Sequence, residues 1–394
     1  MKPPKTLVLI LAGGEGKRLD VLTQVRAKPS MPYAGIYRLI DFPLSNCVHS
    51  GLSDVWIIEQ FEPHALNDHL ANGRPWDLDR TYGGLRILPP HTSNGTHEGF
   101  ARGNADAIYR NREVIREFGP DVILVLSADH VYKLDYRDVL AAHRDRKAEV
   151  TLVTTRVELE RAGRFGNVFV EKDGKVSGFA YKPDPPQSEI VTTEVFVYDA
   201  RVLLETLDDL AEGEDGLEDF GHQLIPDLVE RGKAHAFELE GYWRDVGTIS
   251  SYWESHMELL RPEPPLDLED PAWPILTYGV QRVPARIRRG AEIIDSLIAS
   301  GCDIRGTVER SVLAPGVMVE EGARVVDAVI LHDTRIGRGA HVERAIVDDH
   351  AEIGDEARIG GGEGDLTLVG QRSRVAAGVQ VSAGAHLEPG SGAG

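Results

Sequence analysis

The chain has 394 residues, 42% apolar and 27% charged, which bounds it as a globular protein of two domains or three. Its formal net charge of −20 argues against a nucleic-acid polyanion or an anionic membrane as the main partner. Phosphate chemistry on such a chain needs locally gathered cations or a divalent metal. No apolar run approaches the roughly 18 residues of a membrane span, and the first apolar stretch flows into a glycine loop instead of a cleavage site. Cys47 and Cys302 fit no metal spacing and read as buried small apolar residues of a cytoplasmic protein.

In chain order, Thr6–Leu11 predicts a buried strand. It runs into Leu11-Ala12-Gly13-Gly14-Glu15-Gly16-Lys17-Arg18-Leu19, with Ala27-Lys28-Pro29 a little further on. Glycines let backbone N–H groups approach a polyanion, and Arg18 and Lys28 add positive charge, so the segment reads as a triphosphate cradle. It is not a Walker P-loop, since no Gly-Lys-Ser/Thr follows. The blander alternative is a tight βα turn with incidental cations. Asp54–Ile58, Val122–Leu126 and Val150–Thr154 predict further strands, and Asn104–Phe118 and Tyr136–Arg146 predict helices between them. This alternation predicts a parallel or mixed sheet covered by helices, with ligands beyond the carboxyl ends of the strands. Asp129, just past Val122–Leu126, then overlooks the same crevice as the glycine loop. Gly103-Asn104-Ala105-Asp106 opens a helix whose N-terminus is free for an anion or a base edge. Asp106 suits bracing that helix as well as touching ligand.

The proline-rich stretch after Leu260 predicts a linker over 261–290. The catalytic domain is then expected at 1–260, a repeat domain at 291–388, and a disordered glycine-rich tail at 389–394. In the repeat, Cys302/Val308, Val319/Val325, Ile336/Val342 and Ile353/Ile359 are pairs six apart, and successive pairs are offset by 17. One apolar residue every six marks a parallel β-helix, whose thin coils bury an interior only by stacking.

The segments LAGGEGKRL, RAKPSMPYAGIYRLIDFPLSN, GNADAIYRN, SADHVYKLDY, DFGHQLIP and YWRDVGT, together with the repeats, resemble bacterial glucose-1-phosphate adenylyltransferases from residue 6 to about 360. The resemblance implies an α/β fold, a Rossmann-like mixed-sheet nucleotidyltransferase domain followed by a C-terminal left-handed parallel β-helix. It implies an Mg²⁺-dependent enzyme that makes a nucleoside diphosphate sugar from a nucleoside triphosphate and a sugar 1-phosphate. Such transfer asks for cations and a carboxylate-held metal rather than covalent catalysis. The implied catalytic residues are Arg18, Lys28, Asp129 and Asp245, with Asp129 and Asp245 holding the metal. A turn cap after the strand also suits Asp129, and an N-cap for Thr248–Glu258 also suits Asp245. His130 takes a positioning or buried role, because a phosphate dianion needs no base. Nucleotide binding falls to Leu11, Ala12, Gly13, Gly14, Gly16, Gln60, His91, Gly103 and Asn104. Sugar-phosphate binding falls to Tyr181, Lys182, Thr192 and Glu194.

The departures from the family pattern fall where selectivity lies. Tyr181 stands in place of the Glu of Glu-Lys-Pro, and Thr192-Thr193-Glu194 in place of Ser-Met-Gly. Pro89-Pro90-His91-Thr92 replaces a glutamine-bearing segment near adenine, so guanine competes with adenine. Ile36 replaces an activator-binding lysine, while Arg26 remains. An intact reaction centre beside an altered pocket suggests a paralogue for another acceptor, such as a C7-cyclitol 1-phosphate nucleotidylated with GTP or ATP. A non-catalytic regulatory subunit is the rival outside catalysis. An acyltransferase role for the β-helix is disfavoured, because His332, His341 and His350 read as solvent-facing. A homo-oligomer, dimer or tetramer, is implied by the resemblance.

Overall fold

The computed structural model describes residues 4–14, 16–90, 101–213, 217–362 and 364–394. The chain forms two compact units: Met1–Gly14, Phe42–Pro63 and Leu70–Trp243 make the first, and Glu15–Asp41, His64–His69 and Arg244–Gly394 the second. No helix among the described residues is long and apolar enough to cross a membrane.

The first unit is built on a nine-stranded mixed sheet. Its centre is the strand Thr6–Ala12, whose Leu7, Val8, Leu9 and Ile10 are fully buried. Parallel neighbours flank it, Asp54–Glu59 on one side and Val122–Ser127 on the other, and Gly84–Leu88 continues the parallel run. The unbroken apolar character of these strands follows from burial on both faces. Ile190–Asp199 then pairs antiparallel with both Val122–Ser127 and Val150–Arg156, which makes the sheet mixed. All four predicted strands are present, each one residue longer at its carboxyl end except Val150–Thr154, which gains two. Tyr136–Arg146 is helical as predicted, with the Asp135 side chain accepting from Arg137 N–H at its start. The helix expected over 104–118 breaks into Asn104–Arg110 and Arg112–Phe118. Asn111 lies between them, its side-chain amide donating to the Ala107 carbonyl at 2.9 Å in competition with the main-chain ladder.

In the second unit, three parallel sheets of short strands wind as coils around one interior. Ile304, Val308, Leu313, Val325, Ile330, Ile336, Val342 and Val347 are fully buried there. The 17-residue offset is the observed register for Val308↔Val325, Val325↔Val342 and Val342↔Ile359. At the first pair the register differs from expectation: Ile304, not Cys302, stands opposite Val319. Both side chains are buried, so an apolar pattern alone could not choose between them. The coils already begin with Arg286–Ile287. They also continue into the segment expected to be a disordered tail, where Gly392–Ala393 pairs with Arg374–Val375. Main-chain bonds such as Ala376 N–H to the Ala393 carbonyl (2.8 Å) hold that end without large side chains. Both cysteines are free and buried, and burial pushes the Cys302 thiol up to about 11.

The helix Ile249–Glu258 belongs to this same unit and ties the early chain to it. Tyr252 donates to the Pro32 carbonyl at 2.5 Å, and Ala34 N–H donates to His256 Nε2 at 3.1 Å. Trp253 Nε1–H donates to the Asp327 carbonyl on the coils at 2.8 Å. Arg26 is buried against Asp348 (2.8 Å) and Asp349 (3.4 Å), which more than offset its burial and hold its pKa above the ordinary value. These bonds explain why residues 15–41 group with the coils instead of following a single cut near residue 260.

Burial holds two histidines neutral, His256 here and His143 in the first unit, each lowered to about 4. The unfolded chain takes up those protons near pH 6.5, before the folded one does. Their contribution is therefore constant above about pH 6.5 and destabilises progressively as pH falls toward 4. Ring resonances of both should stay in the neutral form down to about pH 5. A ring titrating near 6.5 would show that burial does not set its state.

Candidate active site

In the first unit the expected residues cluster at the carboxyl ends of the parallel strands. Ala12 stands opposite Glu59 at the end of one ladder, and Leu11 opposite Ser127 at the end of the other. Gly13 follows, packed so closely on Gln60 that a Cβ there would lie 2.7 Å from the Gln60 amide nitrogen. A Cβ on Gly14 would meet nothing within 4 Å, so this turn presents open backbone. Gln60 is buried beside the turn, while His91 lies outside the described residues.

Asp129 follows the strand Val122–Ser127, with the Ser127 hydroxyl donating to its carboxylate. The adjacent His130 is buried, as the sequence suggested. Its Nδ1 lies 3.0 Å from the Thr193 carbonyl, an acceptor only, so Nδ1 carries the proton. Nε2 then faces two carboxylates, Asp129 at 3.7 Å and Glu194 at 4.0 Å. Glu194 sits in a bulge: Thr192 pairs with Thr154 and Phe196 with Leu152, so three residues of one strand stand where the other has one. Its φ of 57° is a left-handed conformation that glycine tolerates and glutamate does not favour. The Thr192 hydroxyl, expected to face a sugar, accepts from Glu194 N–H at 3.2 Å inside this bulge. Bulges concentrate beside active sites, where they re-aim a side chain.

The helix opening at Asn104 departs from expectation. Its first donors are taken: Ala105 N–H and Asp106 N–H point to the Glu218 carbonyl at 3.1 and 3.4 Å. Gly103 is needed for packing, since a Cβ there would lie 2.3 Å from that same carbonyl oxygen. Asn104 donates to Asp219 at 3.3 Å. Asp106 braces the helix, accepting from Arg102 N–H (2.9 Å) and Arg110 Nε–H (3.0 Å). Tyr181 also turns to Asp219, donating at 2.5 Å, and Lys182 Nζ lies 2.7 Å from the Tyr181 hydroxyl oxygen.

The second unit carries the remaining expected groups. Gly16, with φ 70°, turns the chain into a short 3₁₀ segment, Lys17–Thr23, on which Arg18 is exposed. Lys28 is buried, its Nζ 3.4 Å from Asp245 Oδ1. Asp245 does not cap the following helix: Thr248 does, in a reciprocal capping box with Ser251. Gly247 is a site residue that sequence reasoning passed over. A Cβ there would lie 2.8 Å from the Asp245 carboxylate and 3.1 Å from the Arg18 guanidinium, so both groups close around it. Its place inside YWRDVGT was the available signal. Ile36 lines a cavity of this unit with Arg26, Arg38, Tyr278 and His332. His332 is not simply solvent-facing, since Asp349 lies 3.2 Å from its Nδ1.

A nucleotidyl transferase family model matches residues 7–261, and a GlmU-like C-terminal hexapeptide model matches 281–367. With the three parallel sheets, the second match identifies the coils as a left-handed parallel β-helix. A glucose-1-phosphate adenylyltransferase of Thermomicrobium roseum is 43% identical, covering 97% of this chain and 92% of its own length. Proteins with the same name from Fervidobacterium nodosum and Acetivibrio thermocellus are 41% and 37% identical, covering 90% and 99% of this chain and 85% and 94% of their own.

Proposed function

Since this chain belongs to the glucose-1-phosphate adenylyltransferase family of nucleotidyl transferases, we propose that it joins a nucleoside triphosphate to a sugar 1-phosphate and releases pyrophosphate. The observation that carries the reading is the grouping of Arg18, Lys28 and Asp245, two cations and a carboxylate, around and beside Gly247 in an acidic chain. An oxygen of the sugar phosphate attacks the α-phosphorus. The bond from that phosphorus to the bridging oxygen breaks, and pyrophosphate leaves with the electron pair. The attacking oxygen of a phosphate dianion is already deprotonated, so His130 has no proton to remove. Arg18 serves the β- and γ-phosphates, Lys28 the phosphates at the reacting centre, and Lys182 the sugar phosphate. The open backbone at Gly14, next to Gly13 on Gln60, lets the triphosphate approach the strand end.

Asp129 and Asp245 would hold Mg²⁺, and their oxygen donors fit so hard a cation. When bound, the ion offsets charge on the phosphates. Within the first unit, Trp243 packs edge-on against His130, the neighbour of Asp129, at 5.2 Å.

A second acceptor reading, a glucose-like cyclitol 1-phosphate, is favoured by one feature. The glutamate of the selectivity pocket has moved to position 194 and is held in a left-handed bulge. A homo-oligomer fits the exposure of Val280, Val283, Ile287 and Ile294 around the first coils. Two buried free thiols suit a reducing compartment.

The deciding assay crosses ATP, GTP, UTP and dTTP with glucose 1-phosphate and cyclitol 1-phosphates and measures pyrophosphate. Release that requires both substrates and Mg²⁺ is the expected result. Preference for the cyclitol selects the second acceptor, and silence across the panel leaves the non-catalytic subunit standing. Glu194→Gly with Tyr181→Glu should raise the glucose 1-phosphate share of activity by about tenfold. An unchanged profile would remove both positions from acceptor choice.

A further inference from the structure

Asp219 lies just before the π-helical turn Phe220–Leu224 and is placed by its own side chain, which accepts from Phe220 N–H at 2.8 Å. The same Oδ1 accepts from Asn104 at 3.3 Å, and Oδ2 from the Tyr181 hydroxyl at 2.5 Å. A carboxylate only accepts and an ammonium only donates, so the polarity of the chain of contacts is fixed. Lys182 donates to Tyr181, and Tyr181 donates its single hydroxyl proton to Asp219. The phenol thereby passes part of the carboxylate's negative character to the lysine. Its ring cannot drift, because it lies flush on Gly221, where a Cβ would come within 2.0 Å, and edge-on to His222 at 4.6 Å. Lys182 is exposed and left-handed at φ 46°, yet its ammonium sits 4.4 Å over the Tyr181 ring. A flexible point charge is thus ordered before any ligand arrives.

We propose that Asp219 is a positioning residue that fixes Lys182 for the sugar phosphate by acting through the Tyr181 hydroxyl. The proposal rests on the nucleotidyl-transfer reading and deepens it. In this chain a phenol stands where the resembled pattern carries a carboxylate, and it links Lys182 to Asp219. Asp219 need touch no substrate atom.

Tyr181→Phe keeps the ring on Gly221 and removes only the hydroxyl. Asp219→Asn keeps the shape and removes the charge. In the full-length protein each should raise KM for glucose 1-phosphate about tenfold, with kcat and KM for the nucleoside triphosphate changed less than about twofold. The double variant should be no worse than the more affected single variant, as expected for groups acting in one line. Melting temperatures within about 2 °C of wild type accompany this pattern. Wild-type behaviour of Tyr181→Phe would overturn the relay, as would multiplying effects in the double variant or a loss confined to kcat. If Asp219→Asn does not fold, Tyr181→Phe alone decides. Calorimetric titration of glucose 1-phosphate into wild type and Tyr181→Phe separates the two claims. Weaker binding in the variant with no turnover in either protein would keep the relay and fail the transfer reading.

Discussion

Asp129→Asn and Asp245→Asn should each lower Mg²⁺-dependent pyrophosphate release by roughly 10³-fold while leaving the fold intact, if the two carboxylates hold the metal as proposed. The substitution preserves volume and an oxygen acceptor, so the Ser127 hydroxyl keeps its partner at position 129. What would be lost is the charge proposed to draw a divalent cation. At position 245 the loss is double, because the carboxylate also holds Lys28 at 3.4 Å. Raising Mg²⁺ should recover part of the rate for each variant if the defect lies in metal affinity. Turnover within tenfold of wild type at ordinary Mg²⁺ would take that residue out of the metal site. A circular-dichroism melt of each variant keeps a folding defect from being mistaken for a chemical one.

Arg26→Ala should remove about 3–5 kcal/mol of stability, measured by denaturant unfolding, because it strands the buried carboxylate of Asp348 and takes one of three positive partners from Asp349. Asp348 is fully buried, and Asp349 almost so. Burial already raises the Asp348 carboxyl to about 6 despite Arg26, whereas Arg26, His332 and Arg38 overcome burial to hold Asp349 below the usual range. A carboxyl whose folded pKa lies above its unfolded value stabilises at low pH and loses that contribution as pH rises through the folded value. Without Arg26 the folded values climb further, so the penalty should be larger at pH 8 than at pH 5. A loss under about 1 kcal/mol, or one independent of pH, would mean the carboxylates find other partners. Asp348→Asn should be milder, since Arg26 keeps Asp349.

The parallel strands, the helix Tyr136–Arg146 and the coil repeat were legible in the sequence because each is set by local periodicity and burial. Position within a repeat was less legible, as Ile304 against Cys302 shows, since two apolar residues two apart both face the interior. Contacts distant in sequence left no local trace. Nothing near Asn104 says that the Glu218 carbonyl fills the helix N-terminus, and nothing near Arg26 points to Asp348, 322 residues away. The substitution at Tyr181 was visible, but its consequence was not: the hydroxyl is committed to Asp219 before any sugar arrives. Glu194 was legible only as a departure from Ser-Met-Gly. Its left-handed backbone within a bulge emerged only from the strand register.

The segment Glu15–Asp41, which carries Arg18 and Lys28, is fastened to the solenoid unit through Arg26, Ala34 and Pro32. Two of the three cations of the proposed chemistry are therefore anchored on the repeat scaffold, although they sit within the first tenth of the chain. A repeat domain in such a place is no detachable handle. Whatever strains or loosens the coils should reach Arg18 and Lys28 through covalent and hydrogen-bonded mountings, so a substitution in the solenoid can alter the proposed phosphate chemistry without touching it.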